Sequence, residues 1–222
     1  MICNRIKLTV FLTVLILIFT SFLNPSFSIE GRGGLDYEAN RFNYSSLDLN
    51  KLKTSGNNYF NQGINARRKF EREQAFNSAI GEYSLMLKTE PRNMFAMVQI
   101  ARVYDMLGQD KLASDYFIHA TNIEPNNARA NYFYGEYYFK RGKLQKALKH
   151  YLISYKNGNS NDFNTVCRLG MTYEKLADLK NAKIFYQKAV KINPQKRALY
   201  TKIKNIDNAN YESSEYYKDI RE

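Results

Sequence analysis

The sequence predicts an all-α fold, a stack of about four antiparallel helix pairs closed by a C-terminal capping helix. Small and aromatic residues each return every 34 or 35 positions along the middle of the chain. Prolines follow the same interval, with Pro91 and Pro125 separated by 34 positions and Pro194 lying 69 positions beyond Pro125. Within each interval, apolar residues recur at steps of three and four, which is the period of one helix face. A sequence period of this length is typical of helical repeats that bury a shared core between neighbours.

The chain is basic, since its 222 residues include 33 Lys and Arg against 21 Asp and Glu, a formal net charge of +12. Such an excess favours anionic partners and raises the rate of association with them. The alternative interpretation is that most of the lysines are simply solvated. Of the two cysteines, Cys3 lies in the N-terminal segment, so Cys167 alone cannot form an intramolecular disulfide.

The N-terminal segment has the pattern of an export signal. Two basic residues, Arg5 and Lys7, precede an uncharged apolar run over residues 8–23, and serines suited to a peptidase site follow. Residues 1–28 are therefore interpreted either as a cleaved signal peptide or as an uncleaved membrane anchor formed by residues 8–28. In both cases the positive flank stays in the cytoplasm and the body is exported, to the periplasm or cell envelope if the protein is bacterial.

The rest of the chain divides into three parts. Gly, Asn and Ser are frequent over residues 29–56 and no helical period holds there, which predicts a flexible linker. Residues 57–208 contain the repeats and form the predicted folded domain. Residues 209–222 are rich in acids and tyrosine and predict a frayed or disordered tail, or alternatively a segment that folds back on the basic body.

The repeated small residues have a packing reason. Alanine or glycine at a helix crossing lets two helix axes approach closely, while aromatic residues fill the space beside the contact. The predicted repeat-packing residues are Ala79, Ala101, Ala113, Gly135, Ala147, Gly170 and Ala182. The first unit departs from the pattern, because counting back from Ala79 places Arg67 at a small position. Gly63 is the better small residue, and one extra helical turn before Ala79 would restore its face.

The second unit shows the pattern most completely. Its matching residues are Met97, Ile100, Ala101, Tyr104, Gly108, Ala113, Phe117, Ala120 and Pro125. This pattern resembles the tetratricopeptide repeat family, and with the N-terminal segment it indicates an exported or membrane-anchored protein of bacterial type. The repeats fall at about 60–93, 94–127, 128–161 and 163–196, with a cap at 197–208.

The resemblance implies a right-handed superhelix whose concave groove is lined by the first helix of each pair. A partner would bind there as a peptide segment. The groove residues that the resemblance implies are Arg68, Arg102, Asp105, Arg129, Tyr132, Glu136, Phe139 and Met171. Acidic groups of the partner would meet Arg102 and Arg129, and its apolar side chains would meet Tyr132 and Phe139. The alternative is that Tyr132 and Phe139 fill the contacts between units.

These patterns predict a non-catalytic scaffold or adaptor that holds other proteins in a cell-envelope assembly. The alternative is a basic binder of an anionic polymer, either nucleic acid or a surface polyanion, and export argues against nucleic acid. The predicted partner is a protein or peptide, acidic in the groove, and the membrane is a second partner if the N-terminal segment is uncleaved.

The residue types needed for catalysis or metal binding do not occur in a suitable pattern. His119 and His150 lie on second helices of different units, without a Cys or His at metal-ligand spacing, and are interpreted as solvated surface residues. Phosphate-binding and nucleophile motifs are missing. Cys167, at a groove position, is interpreted as a packed thiol. The sequence therefore predicts no catalytic residue, no metal and no cofactor.

Overall fold

The computed structural model describes residues 47–219, with side chains described through Ala209. Within this range the chain forms nine α-helices and no strand. The predicted signal or anchor over residues 1–28, the linker before residue 47 and the last three residues lie outside the described part. Among the described helices, none combines the length and the apolar character needed to cross a membrane.

The helices alternate with short turns along the whole described range. They are α1 (Leu49–Asn65), α2 (Lys69–Thr89), α3 (Met94–Met106), α4 (Asp110–Ile123), α5 (Ala128–Lys140), α6 (Leu144–Lys156), α7 (Phe163–Lys175), α8 (Leu179–Ile192) and α9 (Arg197–Asp219). The residues that precede α3, α5 and α7 are Asn93, Asn127 and Asp162. Each caps its helix, because its side chain accepts a hydrogen bond from the backbone amide three residues later. Such caps satisfy amide groups that the helix itself leaves unpaired.

Both ends of the folded part differ from the prediction. Helix α1 begins at Leu49, so the linker prediction is wrong for residues 49–56. The Asp48 carboxylate caps this helix by accepting hydrogen bonds from the amides of Asn50 and Lys51. Helix α9 continues to Asp219, past the predicted cap boundary at residue 208. No proline or glycine interrupts the sequence of α9, so the chain has no local reason to leave the helix there.

The helices pack as successive pairs: α1 with α2, α3 with α4, α5 with α6, and α7 with α8. Neighbouring pairs meet chiefly through α2–α3 and α6–α7, with smaller contacts of α5 with α3 and α4, and α9 covers α8. The buried apolar residues form two clusters, one running from Leu52 to Tyr137 and the other from Ala147 to Ile206. Contacts are therefore made between elements close in sequence, as in a helical solenoid.

The repeated small residues lie where the two helices of a pair cross. The five alanines among the predicted packing residues, at 79, 101, 113, 147 and 182, are each 0% exposed. A Cβ added to Gly135 would lie 2.7 Å from the Tyr151 ring, and one added to Gly170 would lie 2.7 Å from the Tyr186 ring. Each first helix thus presents a glycine or alanine to a large side chain of the second helix, which brings the two backbones close together.

The first pair is longer than the others, and its predicted register is wrong. The residue that faces Tyr83 is Gly56, while Gly63 faces Phe76 in an additional layer nearer the turn. Gly56 precedes Ala79 by 23 positions, whereas Ala101 precedes Ala113 by 12, so the first pair contains 11 additional residues. Four of these residues lie in α1 and seven in α2, about one and two helical turns, so both helices keep the same face towards each other.

The turn between the helices of later pairs uses one residue with positive φ. Gly108 and Gly142 occupy this position with φ of 72° and 67°, and Ala177 occupies it with φ of 60°. Left-handed backbone costs a residue with a Cβ about 1–2 kcal/mol, and glycine avoids this cost. We expect Ala177→Gly to raise the free energy of unfolding by about 0.5–1 kcal/mol, measured by urea denaturation. Gly142→Ala should change it in the opposite direction, and stabilisation by both substitutions would contradict the explanation.

Candidate functional site

A cavity of about 150 Å³ opens where α1, α3 and α5 come together. We call it the Arg102 cavity, after one of the side chains that line it. Its lining residues are Phe60, Ile64, Arg102, Asp105, Met106, Phe117, Tyr132, Phe133, Glu136 and Lys140. Nine of these ten belong to the first helices of three successive pairs, so the cavity lies on the surface that those helices form.

The Arg102 guanidinium lies between two aromatic rings. It is 4.6 Å from the ring centroid of Phe60 on α1 and 4.0 Å from that of Phe133 on α5. Both distances are within the range of a cation–π contact. Burial, together with the nearby positive charge of Arg129, lowers the pKa of Arg102 to about 10. The group still carries its charge at neutral pH, and the cost of burying that charge favours an anion beside it.

A network of hydrogen-bonded polar side chains orients the Arg102 guanidinium. The Tyr83 hydroxyl donates to Asn57 Oδ1 over 2.9 Å, and Gln99 Nε2 donates to the same oxygen over 3.1 Å. This leaves Gln99 Oε1 to accept a hydrogen bond of 2.5 Å from Arg102 Nη1. Because Asn57, Tyr83 and Gln99 lie on α1, α2 and α3, the first two pairs together hold the guanidinium in place.

Most other charges on the same surface neutralise one another. The ion pairs are Asp105 with Lys140 and Arg141, Glu136 with Arg168, and Glu174 with Lys202. Arg102 and Arg129 differ, because no carboxylate among the described side chains lies within ion-pair distance of either. Arg129 is exposed, 5.1 Å from the Phe95 ring and 5.6 Å from the Phe133 ring. Arg102 and Arg129 are therefore two neighbouring positive charges on this surface with no ion-pair partner among the described side chains.

The structure brings four of the predicted groove residues together at the cavity: Arg102, Asp105, Tyr132 and Glu136. Arg129 lies beside them, over the ring of Phe133.

Two further predicted residues do not line the cavity: Phe139 lies on α5 and Met171 lies on α7. Phe139 packs against Tyr151, with ring centroids 6.4 Å apart, and Met171 has its sulfur 3.9 Å from Arg168 Nη1. Their charged neighbour Arg168 is already paired with Glu136.

Arg68 is placed elsewhere, and its assignment to the groove is wrong. It precedes α2 in the turn of the first pair, exposed and 3.5 Å from Glu71, and does not line the cavity. The register error of the first pair explains this, because Gly56 and not a residue near 67 faces the second helix. The same error hid Phe60 and Ile64, which line the cavity from α1. The signal for them was the spacing of Gly56 and Gly63, seven residues apart and therefore on one helix face.

The interpretation of His150 as a solvated residue is also wrong. Its ring lies 4.4 Å from Tyr134 and 5.6 Å from Tyr138, and its Nδ1 is 2.9 Å from Asn131 Oδ1. Burial, with a smaller effect of Lys149, lowers the pKa of His150 to about 4. The predicted position on a second helix was right, but the face turns towards α5 instead of the solvent.

The remaining groups that the sequence offered for chemistry are His119 and Cys167. His119 is exposed on α4. Cys167 is half-buried against the second core cluster, and burial raises the pKa of its thiol. No group of three or more His, Cys, Asp or Glu in the described range is arranged to hold a metal ion.

Comparison with known proteins agrees with the repeat pattern. The sequence profile of the tetratricopeptide repeat family matches residues 96–127 and 164–196. A TPR repeat-containing protein of Methanocaldococcus jannaschii is 26% identical over 121 residues, which is 54% of this chain. The chain covers 21% of that relative, so it spans about a fifth of its length.

Solved structures with a similar fold include MamA, PilF and YrrB. MamA superposes with a TM-score of 0.55 at 21% identity, covering 66% of this chain and 86% of MamA. PilF of Pseudomonas aeruginosa gives 0.57 at 17% identity, covering 75% and 72%. YrrB, described as a TPR protein with an unusual peptide-binding site, gives 0.51 at 19% identity, covering 72% and 75%. Residues 96–127 and 164–196 thus match the tetratricopeptide repeat, and the described part of the chain folds as an all-helical solenoid similar to MamA and PilF.

Proposed function

We propose that the chain is a non-catalytic scaffold that binds a peptide segment of a partner protein on the surface formed by its first helices. The observation that carries this proposal is the Arg102 guanidinium, charged, partly buried between two rings, and without a carboxylate partner among the described residues. A protein keeps such a charge at a cost, and a bound anion offsets that cost through charge-assisted hydrogen bonds.

The cavity also sets the size and character of what binds. A volume of about 150 Å³ admits one apolar side chain and is too small for a folded domain. Phe60, Ile64 and Tyr132 supply apolar walls. Aromatic and arginine side chains around a small pocket are the usual anchors of peptide interfaces. The ligand that fits is a segment with an acidic group next to an apolar side chain. The fold is similar to that of YrrB, which is described as having a peptide-binding site.

The test is selection of binding segments from a random peptide display library with the purified protein. We expect the enriched peptides to carry Asp or Glu adjacent to an apolar residue. Arg102→Met, which keeps the length and packing of the side chain, should weaken binding of a selected peptide at least tenfold, because it removes a charged hydrogen bond of about 1.5–3 kcal/mol.

Arg92→Met is the matched control, since Arg92 is exposed in the turn before α3 and does not line the cavity. Circular dichroism would show that both variants keep their helices. Equal affinity of the wild type and Arg102→Met for every selected peptide would refute the assignment of the site.

The salt dependence of the same measurement separates this function from the alternative, binding of an anionic polymer through net charge. A polymer that neutralises many lysines loses affinity steeply with salt, by factors of hundreds or more between about 50 and 200 mM. A peptide held by one or two arginines and an apolar anchor should lose less than about tenfold over that range. The formal net charge of +12 is the observation that supports binding of an anionic polymer.

We place this scaffold in a cell-envelope assembly, exported behind residues 1–28. The support is the apolar run over residues 8–23 with its basic flank. Fusion of alkaline phosphatase to the C-terminus should give an active enzyme outside the cytoplasm. Mass spectrometry of the N-terminus of the mature chain would then distinguish a cleaved signal from an anchor.

A further inference from the structure

The turn of the first helix pair protrudes beyond the turns of the later pairs. Helix α1 continues nine residues past Gly56, whereas α3 continues five past Ala101. Helix α2 begins ten residues before Ala79, whereas α4 begins three before Ala113. At 1.5 Å per residue, the additional four to seven residues extend this turn by about 8 Å. We call residues 64–72 the hairpin tip.

The hairpin tip carries a large apolar side chain in solvent. Phe70 is 75% exposed, more than any other large apolar residue in the described part of the chain, and Ile64 is 48% exposed. Further from the turn the same pair is tightly packed, with Phe60 and Phe76 in ring contact and Gly63 against Phe76. Phe70 therefore contributes little to folding. An exposed aromatic residue that packing does not explain is a candidate interaction site.

Basic residues lie close to Phe70 in the sequence of the turn. The exposed bases of the hairpin tip are Arg67, Arg68, Lys69 and Arg72. Two of them form weak exposed ion pairs, Arg68 with Glu71 at 3.5 Å and Lys69 with Glu73 at 3.7 Å. Within the described range no carboxylate pairs with Arg67 or Arg72, and Arg72 instead donates to the carbonyl of Ala66 over 3.2 Å. The tip thus combines one apolar side chain with a positive charge excess.

We propose that the hairpin tip docks on an anionic lipid bilayer, with Phe70 entering the headgroup–acyl boundary and the bases of the tip facing lipid phosphates. An apolar ring flanked by Arg and Lys is the combination that binds such a boundary, because burial of the ring and attraction to anionic lipid add together. A fluid bilayer surface needs no complementary cavity on the protein. A soluble polyanion would satisfy the bases but leave Phe70 in water.

The experiment uses the full chain, which contains no tryptophan. Phe70→Trp introduces a single fluorophore at the tip. Tyr200→Trp is the matched control, because Tyr200 is a 49% exposed aromatic residue on α9, at the other end of the stack. Each variant is mixed with vesicles of phosphatidylcholine containing 30% phosphatidylglycerol, and with vesicles of phosphatidylcholine alone.

We expect a blue shift and quenching by brominated acyl chains for Phe70→Trp with the anionic vesicles, and neither for Tyr200→Trp. Membrane insertion of the N-terminal apolar run would affect both variants alike, so the difference between them reports on the tip. Phe70→Ser should lower the vesicle partition coefficient about tenfold through lost apolar burial. Arg67→Gln and Arg68→Gln should each lower it about fivefold.

Three results would overturn the proposal. The first is a Phe70→Trp spectrum that anionic vesicles leave unchanged. The second is a blue shift with heparin or single-stranded DNA but not with vesicles, which would assign the tip to a soluble polyanion. The third is a shift that depends on protein concentration without lipid, which would assign it to a second copy of the chain.

Discussion

Gly135→Val should lower the free energy of unfolding by about 3 kcal/mol or more. A Cβ at this position would lie 2.7 Å from two atoms of the Tyr151 ring, and Tyr151 is 0% exposed, so the ring has no free space to move into. Overpacking of a filled core costs about 1–3 kcal/mol, and the two further methyl groups of valine meet the same crowded contact. Urea denaturation followed by circular dichroism at 222 nm would measure the change.

Gly81→Ala is the matched control, because it adds a methyl group to a helical glycine with no heavy atom within 4 Å of the new Cβ. It should raise the free energy of unfolding by about 1 kcal/mol through helix propensity. Opposite effects at the two glycines would show that the close approach of paired helices limits residue 135. A Gly135→Val protein as stable as the wild type would mean that α5 and α6 are not in the contact described.

Acidification from about pH 6.5 to pH 4 should destabilise the fold by about 2 kcal/mol through His150. Its pKa is 6.5 in a solvated chain and about 4 in the folded protein, because the half-buried ring lies against Tyr134 and Tyr138. Above pH 6.5 the residue is neutral in both states and the native contacts have their full effect. As the pH falls towards 4, the unfolded chain binds the proton first, so stability is lost across this interval. The magnitude allows for solvent that reaches the ring.

His150→Gln should reduce this pH dependence, since glutamine can keep the hydrogen bond with Asn131 but does not titrate. Carboxylates titrate in the same range, so the useful quantity is the difference between the variant and the wild type in unfolding midpoint against pH. Identical profiles for His150→Gln and the wild type would contradict the assignment.

Much of the fold could be predicted because close helix contacts require small residues. The interval from Ala101 to Gly135 equals the interval from Ala113 to Ala147. These positions define both the helix pairs and their packing faces. The first pair could not be placed this way. Its 11 additional residues preserve the helix face while breaking the repeat interval, so Gly56 has no counterpart at the expected distance.

Less of the candidate site could be predicted. Arg102 and Tyr132 follow from their positions on first helices, but the Phe60 ring that covers Arg102 depends on the length of α1. The ion pairs that neutralise Glu136 and Asp105 join residues 32 to 36 positions apart and depend on side-chain rotamers. Periodicity specifies the face of a helix on which a charged side chain lies. It does not specify whether an oppositely charged side chain forms an ion pair with it.

The long first pair also bears on how the protein reaches its native state in the cell. Each pair contacts only its neighbours, so the chain can fold stepwise from the N-terminal side of the stack. Of the described helices, α1 and α2 come first in the chain, have the most extensive mutual interface, and form it from residues near in sequence. They are therefore suited to act as a template on which α3 and each later helix condense. Mutations at Gly56 or Gly63 should then slow biogenesis of the entire stack, and equivalent changes at Gly170 should affect mainly its C-terminal end.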